Sequence, residues 1–158
     1  MFQRWRGAGI LALALFALNV AGRWTAKLMK AENQAALDHK KDVAGLILIV
    51  AIGLVFVGLT VYWGRVRPFP RVAQDLGAAT LAACLLAVFV GPLTVGESPF
   101  RNGAGAFFSQ FLVWGGLAIG GTLLGYMGLV AFTSDYRSRQ LKRFADRSKT
   151  LPKRVARR

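Results

Sequence analysis

The chain has 158 residues, 54% hydrophobic and 18% charged, with a formal net charge of +14 and a mean hydropathy of +0.43. A soluble domain carries about a quarter charged residues. Here the charges are fewer and are confined to short stretches between long uncharged runs, which excludes an ordinary soluble domain. The runs are continuously apolar rather than alternating, which argues against a β-barrel. They point to α-helices, which satisfy their own backbone hydrogen bonds in lipid. The single cysteine, Cys84, excludes an internal disulfide and, within an apolar run, reads as a small buried hydrophobe.

In chain order, Arg4 and Arg6 flank Trp5, and an apolar run over 7–22 is closed by Arg23 and Trp24. A basic start and a short apolar stretch have the form of a signal peptide. The small-x-small cleavage pattern is poor around 18–22, so the segment is expected to be retained. Trp5 and Trp24 stand 19 residues apart, about 28 Å along a helix, and tryptophan favours the two membrane interfaces. The run therefore predicts a short first span. The polar stretch 23–42 is rich in helix formers, and neither Pro nor Gly interrupts 23–43. Trp24, Leu28, Ala31 and Ala35 recur at helical spacing. It reads as a solvated helical connector that extends the first helix or lies along the surface.

Residues 43–64 form an uncharged second span ending in Tyr62 and Trp63, with Ala44, Ala51 and Gly58 repeating every seven residues. Pro68 and Pro70 prevent one helix from running through the next connection, which carries Arg65, Arg67 and Arg71. A third span is predicted over 76–96. Ala79, Ala83, Ala87 and Gly91 line one of its faces with small side chains, and Pro92 marks a kink or an early end. After the turn-rich loop 96–105 comes the fourth span, 107–133, inside an uncharged stretch running from 102 to 134.

That fourth span holds two consecutive G-x-x-x-G pairs, Gly116 with Gly120 and Gly121 with Gly125. Glycines let two helix backbones approach closely, and packing then replaces the hydrophobic drive that lipid removes. The partner is open at this point: the small-residue face of the third helix, or another subunit. The reading is thus an all-α integral membrane protein, with a four-helix transmembrane domain over 1–134 and a basic tail over 135–158.

The spans so drawn contain no acid or base, the usual mark of proton paths and ion sites in a membrane. Asn19 and Gln110 stand out among their polar residues, and amides in lipid act mainly as glue between helices. His39 is the only histidine and sits beside Lys40 and Lys41 in a charged stretch, which is a poor basis for a metal or haem centre. There is no Walker A, G-x-S-x-G or Cys-x-x-Cys pattern. Gly103-Ala104-Gly105 lacks the third glycine of a dinucleotide loop. No catalytic residue, cofactor or metal is expected, and no enzymatic activity.

Lys and Arg in short loops mark the cytoplasmic side. With four spans, one side receives fifteen of them (two before the first span, three in the second loop, ten in the tail) and the other six. Both termini are expected in the cytoplasm, with the protein in the inner (cytoplasmic) membrane. The tail reads as an amphipathic helix followed, after Pro152, by an extended basic end. Arg139, Arg143 and Arg147 fall on one stripe and Leu141, Phe144 and Ala145 on another. Such a helix suits anionic lipid headgroups, and nucleic acid would meet the same charge.

Three functional classes are compatible with these features. The first is a non-catalytic accessory or scaffold subunit of a larger membrane complex, which the small-residue faces favour. The second is a self-assembling pore or DNA-transfer-associated protein whose tail contacts nucleic acid. The third is a small transporter of a neutral solute.

Overall fold

The computed structural model describes residues 2–30, 33–100 and 103–150. All the regular structure among them is helical: α1 (Phe2–Leu28), α2 (Gln34–Gly64), α3 (Phe69–Leu85), a π-helical segment (Leu86–Val90), α4 (Gly91–Thr94), α5 (Gly103–Ala131) and α6 (Tyr136–Thr150). Four stretches, beginning at Trp5, Gln34, Phe69 and Gly103, are long and apolar enough to cross a membrane. The third is continuous through α3, the π segment and α4.

The helices extend beyond the uncharged runs. The 31 residues of α2 span about 46 Å at 1.5 Å per residue. That exceeds a hydrocarbon core of about 30 Å, so the charged first turns of α2 project past it. The polar stretch 23–42 is not one connector. Its first part finishes α1, the chain breaks, and Asn33 starts α2 by accepting a hydrogen bond from the Ala36 N–H through its side chain at 2.8 Å. An asparagine cap turns the chain without Gly or Pro. α3 likewise begins before its apolar run, with Pro70 in its first turn, where a missing N–H is harmless. The early start places Asp75 inside the helix. It is buried and ion-paired with Arg67 at 3.0 Å, and the Arg67 guanidinium lies over the Trp63 ring.

The bundle is assembled from two tight pairs. α1 packs mainly on α3, burying Ala8, Leu11, Ala12 and Leu15 beside Ala79, Ala83 and Ala87. α2 packs mainly on α5, and there glycine decides the spacing. A Cβ at Gly121 would stand 2.7 Å from the Phe56 Cβ and 3.1 Å from the Gly53 carbonyl. One at Gly125 would stand 2.8 Å from both the Thr60 Cβ and the Val57 carbonyl. The partner of this pair is therefore α2, and neither the small-residue face of α3 nor another subunit, the two partners the sequence leaves open; α1 already occupies that face of α3. Gly116 and Gly120 lie differently, with nothing within 4 Å of a Cβ at either position.

α5 ends in a Schellman turn, with Thr133 N–H bonded to the Val130 carbonyl and Ser134 N–H to that of Leu129. Thr133 occupies the left-handed position (φ 47°) that usually falls to glycine. Asp135 then caps α6, its carboxylate accepting from the N–H groups of Arg137 and Ser138. Arg139, Arg143 and Arg147 are exposed along α6, as are Leu141 and Phe144. The expected extended end after Pro152 lies outside the described residues.

Gly121→Leu is expected to lower the unfolding free energy of the detergent-solubilised protein by about 1–3 kcal/mol, the usual cost of overpacking. Gly120→Leu, one residue away, should leave it within about 0.5 kcal/mol, as for a surface change. Thermal unfolding of the two variants checks this. Equal behaviour would contradict the α2–α5 packing.

Candidate functional site

The site grows from an irregularity in the third span. Between Leu86 and Val90 the helix widens to π geometry, and the Gly91 N–H reaches back to the Leu86 carbonyl instead of that of Ala87. The next donor in that register would come from residue 92, which is a proline and has none. The Ala87 carbonyl is thus left without a backbone partner from either helical register. π segments frequently mark functional places in helices, and here a side chain from another helix takes the free oxygen.

That side chain is Arg23. It sits five residues before the end of α1, on the face turned to the π segment. Its Nη2 donates to the Ala87 carbonyl at 3.3 Å and to Gln110 Oε1 of α5 at 3.2 Å. Its Nε donates to Asn19 Oδ1, one turn earlier in α1, at 3.1 Å. One guanidinium therefore joins α1, the third span and α5. The rigid fork of arginine suits this task, and lysine has no equivalent. Gly91 admits it: a Cβ there would stand 3.0 Å from Arg23 Nε and 3.3 Å from Asn19 Oδ1. Of the acceptor residues Ala87 is buried, and a buried acceptor left without its donor costs about 1–3 kcal/mol, so the bond to its carbonyl matters to the marginal stability of a small bundle.

The three acceptors are neutral, so they orient the guanidinium without balancing its charge. The balancing acid is Glu97, which acts on Arg23 electrostatically. Its place is set by the end of α4. Gly96, at φ 78°, forms a second Schellman turn, with its N–H on the Leu93 carbonyl and the Glu97 N–H on that of Pro92. The same turn presents the Val95 carbonyl to Lys27, whose Nζ lies 2.8 Å away and 5.6 Å from the centre of the Trp24 ring. Arg23, Lys27, Glu97 and Lys41 of α2 line a cavity of about 540 Å³, with Met29 and Leu37 among its apolar walls.

Of the residues singled out in the sequence, Asn19, Gln110, Ala87 and Gly91 meet at Arg23. Ala79 and Ala83 continue the α1–α3 contact away from it. Gly121 and Gly125 face α2, while Gly116 and Gly120 face away from the bundle's interior packing. Arg139, Arg143 and Arg147 lie on α6, which follows the opposite end of α5. Arg23 itself is the residue that the apolar-run criterion misses, because it closes the first apolar run and so reads as its boundary. The spacing of Asn19 and Arg23, four residues apart on one helical face, was the available signal. Among the described residues, no group of three or more His, Cys, Asp or Glu is placed to hold a metal ion.

No protein-family model matches the chain, and neither the curated proteins nor the solved structures provide a match. The fold defines the class on its own: among the described residues the regular structure is all helical, with four helices long and apolar enough to cross a membrane.

Proposed function

We propose that the protein is a non-catalytic, multi-pass accessory or scaffold subunit of a larger complex in the inner membrane. The observation that carries this reading is the division of labour on α5. Gly121 and Gly125 are consumed by packing on α2, whereas Gly116 and Gly120 are left uncovered by the rest of the chain. An uncovered G-x-x-x-G pair on a spanning helix is a surface on which another helix backbone can pack closely. The polar groups inside the bundle support the same reading. Arg23 holds Asn19, Gln110 and the Ala87 carbonyl, and Arg67 holds Asp75, so these groups serve the fold.

Orientation follows from charge. Fifteen Lys and Arg on the side of the termini against six on the other favour cytoplasmic termini. In that orientation α6 lies at the cytoplasmic headgroups with Leu141 and Phe144 toward lipid, and each of its cations contributes about 1 kcal/mol near an anionic leaflet. The exposed stripe of Arg139, Arg143 and Arg147 also keeps open the reading as a self-assembling or DNA-transfer-associated protein. Salt-resistant DNA binding that is lost on replacing those three residues would favour it.

The scaffold reading predicts that extraction in native membrane discs retains unlike membrane subunits. A Gly116→Leu/Gly120→Leu double variant should release those subunits while keeping its own thermal stability. Recovery as a monomer, with no change in the variant, would contradict it. For orientation, single cysteines in a Cys84→Ala background should react with an impermeant reagent from outside at Asn33 and Ser98 and be protected at Ser148. The reverse pattern would invert the topology.

A further inference from the structure

We infer that the cavity at the Arg23 end of the bundle binds an anionic phosphoryl group, as carried by a membrane phospholipid. The inference goes beyond the scaffold reading and does not depend on it. The lining brings Arg23 from α1, Lys27 from the next turn of α1, and Lys41 from α2 around one space, against one carboxylate among the described residues, Glu97. Three basic side chains against one acidic one leave the described lining formally cationic.

The cations differ in how they are held. Arg23 is fixed by three neutral acceptors, so its orientation is set, and among the described residues Glu97 is the acid that acts on its charge. Lys27 is anchored through the Val95 carbonyl, and an ammonium has three donors, so two remain beyond that bond. Lys41 reaches the same space from an exposed position. The Arg23 Nη1 group, which those three bonds do not use, and two ammonium groups arriving from two helices suit an anion with several oxygens in three dimensions, which a phosphoryl group provides.

Size and place choose among phosphoryl compounds. About 540 Å³ is within the range of organic ligand sites, roughly 300–1,000 Å³, and far exceeds one bare tetrahedral anion. The remaining walls include Ala26, Met29, Leu37 and Val95, so the space beyond the charges is apolar. The cavity also opens at the end of α1, where Trp24 and Leu28 are exposed at the level expected of the membrane interface. A headgroup phosphate seated on the cations, with its glycerol and first methylenes on the apolar wall, satisfies charge, volume and position together.

The test uses the full chain in neutral detergent, with thermal unfolding followed at constant ionic strength. The probes are inorganic phosphate, phosphatidylglycerol in mixed micelles, and phosphatidylcholine in mixed micelles. Phosphatidylglycerol is expected to raise the unfolding temperature saturably, and phosphatidylcholine is not. Lys41→Gln should weaken the apparent affinity about tenfold, the loss of one charge-assisted hydrogen bond, and Lys27→Gln/Lys41→Gln should weaken it further. Lys41 is exposed, so its replacement leaves the fold intact. Replacing Arg139, Arg143 and Arg147 with Gln, at the other end of the bundle, should leave the Lys41-dependent part of the response unchanged. If inorganic phosphate reproduces the Lys41-dependent shift, the free anion is sufficient. If only phosphatidylglycerol does so, the lipid-borne phosphate is the ligand. No shift with either probe, or a shift that survives Lys27→Gln/Lys41→Gln, overturns the proposal.

Discussion

The structure depends on one guanidinium placed where three membrane helices meet. Arg23 is too close to the apolar interior to be left to water and too strongly hydrated to be left alone. The fold answers by supplying oxygen atoms: a carbonyl released by the π segment and Pro92, an amide from α5, and an amide from its own helix. Each acceptor would itself be costly if unpaired in a low-dielectric setting. The arrangement is therefore mutually enforcing. The guanidinium makes the irregular backbone of the third span tolerable, and the irregular backbone makes the half-buried guanidinium tolerable.

This junction complements the packing in the rest of the bundle. α1 lies on α3 and α2 lies on α5, each through small residues that allow close backbone approach. Such contacts act at short range and fix separation better than they fix register. The bond from Arg23 to Ala87 closes the first pair, and the bond to Gln110 crosses from it to the second. A polar clamp near one end thereby sets how the two halves meet. At the other end the corresponding tie is the buried Asp75 with Arg67, which rests on Trp63 of α2. Between these ends the contacts are apolar and rely on shape.

Much of the architecture was legible because the lipid-spanning requirement writes itself as uncharged runs, and the helices fall where those runs are. Their ends were less legible. The break between α1 and α2 is made by Asn33 as a cap, a signal weaker than Gly or Pro, so the polar stretch 23–42 read as one piece. Asn19 and Gln110 were conspicuous as amides in apolar surroundings, yet nothing in their separate contexts indicates a common partner. Arg23 closed an apolar run beside Trp24, where a long cationic side chain ordinarily snorkels to the headgroups. The fold instead draws it sideways. The π segment could not be read at all, since a change of helical register leaves no compositional mark and Pro92 alone predicts only a kink. The glycines of α5 were visible, but their partner was not. Which face of a glycine-rich helix is used depends on how the other helices are arranged, and the small-residue face of α3 was already taken by α1.

The central claim is that the Arg23 side chain is locked into hydrogen bonds across three helices, and the most direct measurement is hydrogen exchange at that guanidinium. In arginine-labelled protein in lipid nanodiscs, the Arg23 Nε–H and Nη2–H signals should exchange far more slowly than those of Arg139 or Arg143 in α6. Gln110→Leu should speed the Nη2 exchange while leaving the protein folded. If Arg23 instead exchanges as fast as the exposed arginines of α6, the guanidinium is in water and the junction described here does not hold the bundle together.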